Sequence, residues 1–113
     1  MKKFIAGVVL GSFCLGAHAE FINGNELWRH LNDTNYFSKG HSLGYVTGVF
    51  DATRGTWHCP PQNGGNITAG QVEDIVKQYL TNNPGIRNLP ADVLISIALG
   101  QVWPCQNKGG KKS

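Results

Sequence analysis

The chain has 113 residues, with ten Lys and Arg against seven Asp and Glu, and three cysteines. That length fits one small domain and leaves no room for a second. Its formal charge of +3 is carried by the ends: Lys2, Lys3, Lys108, Lys111 and Lys112 lie outside residues 20–107, where five positives face seven negatives. Nucleic-acid binding proteins cluster Lys and Arg on one face, so this balance argues against that class.

The chain opens MKKFIAGVVLGSFCLGAHA. Two lysines, an uncharged apolar stretch from Phe4 to Leu15, and small residues at Ala17 and Ala19 form the three-part pattern of a secretory signal peptide over residues 1–19. The apolar stretch falls short of the ~20 residues a membrane span requires. Phe13, immediately before Cys14, fits lipoprotein processing poorly. Cleavage after Ala19 would remove Cys14 and leave Cys59 and Cys105, 46 positions apart. In an oxidising compartment such a pair is most simply a disulfide. Residues 20–107 then form the domain, and NKGGKKS ends the chain as a basic, disordered tail over 108–113.

Four helices are expected, making an all-α bundle. In NGNELWRHLND, an Asn cap at Asn23 or Asn25 sets Leu27, Trp28 and Leu31 on one side. In HSLGYVTGVFDATRG, Leu43, Val46, Val49, Phe50 and Thr53 keep a helical period, although Tyr45, Val46, Thr47, Val49 and Phe50 also suit a strand. Gly44 and Gly48 share a face of this segment, where close approach of another helix or of a dimer partner would offset their low helix propensity. In ITAGQVEDIVKQYLTNNP, Val72, Ile75, Val76, Tyr79 and Leu80 form one stripe behind a Thr68/Gln71 capping box, and Pro84 ends it. In NLPADVLISIALGQVWPC, Pro90 suits a first turn, and apolar residues on every side predict a central, buried helix. The disulfide would join the loop after the second helix to the end of the fourth.

Catalytic patterns are scarce. Glu26 and His30 stand four apart on one face, yet two ligands fall short of the three or four that zinc requires. His58 adjoins Cys59, but adjacent side chains rarely meet and an oxidised Cys is no nucleophile. Neither HExxH, GxSxG nor a phosphate-cradling glycine loop occurs. No cofactor is therefore expected, and the chain reads as a binder rather than an enzyme. Tyr36 and Phe37 in DTNYFSKGH and Trp57 in TWHCPP place large rings in apparent loops, where a ring either plugs the core or anchors a partner. With His41 and His58 beside them, they are the candidate partner-binding residues. Trp28 and Trp103 are assigned to the core.

Taken in order, GNEL at 24–27, GYVTGVFDA at 44–52, Cys59-Pro60, ITAGQVEDIVKQYLTNNPGIR at 67–87, and LPADVLISIAL running to WPC at 105 resemble the Rap/Tai family of type VI secretion immunity proteins. That resemblance covers nearly all of the chain after residue 19. It implies a periplasmic, helical, disulfide-linked protein that binds a peptidoglycan-cleaving amidase delivered by neighbouring cells and blocks its active-site cleft. It also implies a homodimer, with which the Gly44/Gly48 face is compatible. GTWHCPPQNGGNIT is longer than the family pattern by a Gly-Gly-Asn insertion. The rival reading from another class is a small periplasmic acid-stress chaperone of the HdeA type. Charged residues make up only 15% of the chain, which weighs against the pH-driven unfolding such chaperones use.

Overall fold

A computed structural model describes residues 22–62 and 66–106. The expected signal peptide, the 108–113 tail and the two glycines of the Gly-Gly-Asn insertion lie outside the described residues. Each helix begins where a short polar or rigid residue stops the preceding extended backbone. Asn23 caps α1 (Gly24–Asn32), its Oδ1 accepting from the Glu26 N–H at 2.9 Å. The two N–H groups before it donate to the segment ahead of the last helix, Gly24 to the Leu89 carbonyl (2.9 Å) and Asn25 to that of Arg87 (2.7 Å). The start of α1 is thus satisfied and pinned at once.

The second helix, α2 (Tyr36–Thr53), begins earlier than expected, so Tyr36 and Phe37 stand on its first turn rather than in a loop. Asn35 is the cause: its Oδ1 accepts from the Phe37 and Ser38 N–H groups, while Asp33 accepts from the Asn35 N–H and the Ser38 hydroxyl. The strand alternative for this segment does not occur. Thr68 caps α3 (Ala69–Asn82), accepting from the Gln71 N–H at 3.1 Å. Past the Pro84–Ile86 turn, Arg87 reaches back to the carbonyl of Leu80 (2.8 Å) at the end of α3. Its guanidinium lies 3.9 Å over the Trp28 ring, whose Nε1 donates to Thr81. Pro90 occupies the cap position of α4 (Ala91–Val102), and the Ala91 N–H donates to the Ile22 carbonyl.

Each of the four helices among the described residues touches the other three. The shared core holds Leu27 and Leu31 from α1, Val46 and Phe50 from α2, Val72, Val76 and Leu80 from α3, and Ala91, Leu94, Ile95, Ala98 and Leu99 from α4. Trp28 and Trp103, assigned to the core, are half-buried against it. Gly24 is needed at its position, because a Cβ there would meet Leu94 Cδ1 at 2.5 Å and the Arg87 carbonyl oxygen at 2.8 Å.

One expectation for α4 is corrected. The helix is not buried all round: Val93, Ile97 and Val102 are exposed on its outer side. Four helices around one core leave every helix with an outward face, whatever residues it carries. Cys59 and Cys105 form the expected disulfide, with Cα atoms 4.8 Å apart, tying the loop after α2 to the end of α4. Among the described residues, no helix is long and apolar enough to cross a membrane.

Candidate functional site: an apolar flank and groove

Phe37, His41, Gly44, Gly48 and Ala52 follow one another at three- and four-residue steps, so they form one stripe along α2. At 1.5 Å per residue that stripe is roughly 22 Å long. Phe37 is 78% exposed. Its ring stacks on that of His41 at 6.5 Å, and His41 in turn lies 4.7 Å from His30 of α1. Gly44 and Gly48 are exposed, and a Cβ on either would meet nothing within 4 Å. Among the described residues, no helix therefore approaches closely over them, and bare backbone is left open. Tyr36, 90% exposed, points away from this stripe toward the Lys39, Gly40 and Leu43 side of α2.

At its C-terminal end the stripe runs into a groove between α2 and α4. Val49, Ala52 and Thr53 of α2 and Asp92, Val93, Ser96, Ile97 and Gly100 of α4 line it, with Trp57 as a wall, enclosing about 480 Å³. Trp57 is 65% exposed although its backbone is held closely. Its N–H donates to the Thr53 carbonyl, and Gly55 makes the turn at φ +87° while donating to the His58 carbonyl. A Cβ on Gly100 would come within 3.0 Å of the Trp57 carbonyl oxygen, so glycine lets this loop lie directly on α4. A larger hollow of about 750 Å³ beside the disulfide, lined by Phe50, Arg54, Cys59 and Pro60 among others, mixes a guanidinium with prolines and has no acid–base pair in its lining.

His58 is corrected from contact residue to core residue, since it is fully buried. The ring packs 4.7 Å from Phe50 and 6.5 Å from Trp103. Thr53 donates its hydroxyl proton to the Val49 carbonyl, so its oxygen accepts from His58 Nδ1–H at 3.2 Å, which assigns the tautomer. Nε2 is buried with no hydrogen-bond partner among the described residues. Burial, with a smaller effect from the Arg54 charge, holds the His58 pKa below its ordinary value. His58 is therefore a neutral packing group that seats the Trp57 loop.

Among the described residues, no three His, Cys, Asp or Glu side chains gather as a metal would require. Glu26 does not pair with His30; the ion pair recorded among the described residues is Arg54–Asp51 at 3.9 Å, exposed and weak. Burial and, secondarily, the charge of Asp92 raise the Tyr45 pKa, marking the point where α2 meets the start of α4. The signal for the groove was present in sequence: apolar residues on every side of α4, which read as burial until the helix is placed.

A search of curated protein sequences returned no match. The profile of the Rap1a immunity proteins, by contrast, matches residues 12–105, which takes in all four helices, the Trp57 loop and both bridged cysteines. The chain belongs to the family of Rap1a immunity proteins, a membership that suggests an inhibitor rather than an enzyme.

Proposed function

We propose that this protein is exported to the periplasm by the leader at residues 1–19, and there binds and blocks a peptidoglycan-cleaving amidase delivered by type VI secretion. The observation that carries the reading is the exposure of Phe37, Tyr36 and Trp57 on a rigid, cross-linked frame that offers no catalytic arrangement among its described residues. Large rings held at the surface by capped helices and tight turns lose little freedom when a partner covers them, which is how interfaces gain affinity. Membership of an immunity family supplies the class of partner. A homodimer is part of the proposal, with a second copy lying over Gly44 and Gly48, where bare backbone permits close approach.

The test is co-expression, with its leader, alongside the protein encoded by the adjacent reading frame as the candidate amidase. A co-purifying complex, stoichiometric loss of peptidoglycan hydrolysis and survival of cells receiving the enzyme are expected. Normal hydrolysis in the presence of excess inhibitor, with no complex on size exclusion, would overturn the proposal.

A further inference from the structure

We propose that the α2–α4 groove seats an apolar segment of the toxin bearing one basic residue, with Asp92 as the anionic end of the contact; this rests on the immunity reading above. Val93, Ile97 and Gly100 stand at i, i+4 and i+7, so the groove follows two turns of α4 over roughly 10 Å. That length and a volume of about 480 Å³ suit a run of two or three large side chains rather than one.

The lining selects for an apolar occupant because its hydroxyls are already engaged. Ser96 donates to the Asp92 carbonyl, and Thr53 donates to the Val49 carbonyl. A polar ligand would lose water there and gain no hydroxyl donor in return. Trp57 is a ready-made wall: its loop is closed by hydrogen bonds to Thr53 and His58, lies on Gly100, and is tethered two residues later by the disulfide. Little ordering remains to be done when a partner arrives.

Charge decides what else the segment carries. Asp92 is the one charged residue in the lining, is exposed, and has no ion-pair partner among the described residues. A two-fold contact between two copies of this groove would set each Asp92 against the Gly100 end of the other copy, where the lining holds no cation, and so cover both carboxylates unpaired. A Lys or Arg on an apolar segment of a different protein complements the site.

The experiment measures binding of the purified product of the adjacent reading frame, the candidate amidase, by calorimetry, with melting temperature checked for every variant. Ile97→Asp and Asp92→Lys are each expected to weaken binding by about tenfold or more, while Asp92→Asn weakens it less and flattens its salt dependence. Gln78→Ala, at an exposed position of α3 that contributes nothing to the groove, is expected to bind as wild type. Trp57 emission should shift to the blue on complex formation, and the shift should vanish in Trp57→Phe. If Ile97→Asp melts early, Asp92→Lys, a change at an exposed position, carries the test alone. Wild-type affinity in both groove variants would overturn the inference and leave the immunity reading standing. Self-association lost in Ile97→Asp with toxin affinity unchanged would give the groove to a second copy and overturn it equally. No binding by the wild type removes the immunity reading itself.

Discussion

Removing the Cys59–Cys105 bridge should lower stability by an amount that follows from where it sits. The bridge spans 46 positions and joins the loop after α2 to the end of α4, so it encloses all of α3 and α4. Loop-closure entropy for a ring of that size gives ~4 kcal/mol, exerted on the unfolded chain. The native tethers at the same place survive without it: the Cys59 N–H still donates to the Trp103 carbonyl at 2.8 Å, and His58 still packs against Phe50 and Trp103. The folded geometry should therefore persist while the unfolded ensemble expands. Urea melts of the oxidised protein, the reduced protein and the Cys59→Ser/Cys105→Ser variant test this directly. The reduced and double-variant curves should coincide, lie ~4 kcal/mol below the oxidised curve, and show a steeper dependence on urea. For a domain this small the thermal midpoint should fall by roughly 16–30 °C. A loss under about 1 kcal/mol would refute the reasoning, because the bridge would then barely restrict the unfolded chain.

Further outcomes rest on single contacts. Since His58 is held neutral in the folded state, the unfolded chain binds its proton first as pH falls below the ordinary histidine value of about 6.5. Stability should decline from there down to the folded pKa, and His58→Phe should flatten that window in pH-dependent urea melts. Gly24→Ala should cost roughly 1–3 kcal/mol despite alanine's better helix propensity, because its Cβ would crowd Leu94 and the Arg87 carbonyl. Gly44→Ala meets open space and should raise monomer stability by about 0.5–1 kcal/mol, while sedimentation at high concentration should show weaker dimerisation if a second copy packs there. Asn35→Ala should lower stability by ~1 kcal/mol and fray the Tyr36–Phe37 turn, visible as faster amide exchange at Ser38 and Lys39.

Local rules carried most of the fold. Val72, Val76 and Leu80 repeat as one buried row, and Thr68 closes α3 as its spacing with Gln71 suggested. The cysteine pairing followed from counting thiols. The judgements that failed depended on which neighbour lies over a residue. Tyr36-Phe37-Ser38-Lys39 lacks an apolar period, so the start of α2 was legible only through the Asp33 and Asn35 side chains that close its first turn. His58 lies between Trp57 and Cys59 in what reads as an exposed loop, and only Phe50 and Trp103 arriving from two helices bury it. Gly44 and Gly48 resemble a packing face in sequence; no described residue comes within 4 Å of a Cβ on either, which leaves the dimer half of that expectation untouched. For the candidate site, Phe37, His41 and Trp57 stood out as residues that either plug the core or meet a partner, a choice only their exposure decides, whereas Val93, Ile97 and Asp92 were hidden inside an apolar run.

The exposed groove and the covalent bridge are physically connected. Val93, Ile97 and Trp57 would each contribute about 1.5–3 kcal/mol if fully buried in the core, and their exposure forgoes much of that. A domain of this size has a total stability of about 5–15 kcal/mol, so several apolar side chains diverted to the surface are a serious loss. The bridge offsets a loss of that order without using any apolar surface, because it acts on the unfolded chain. It also lies at the base of the Trp57 loop, so the link that supports stability holds one wall of the groove in place. A partner that covers the groove would return the diverted burial to the folded state. Its stabilising effect, read as a rise in thermal midpoint at fixed excess of partner, should therefore persist in the reduced protein as long as the Trp57 loop keeps its hydrogen bonds to Thr53 and His58.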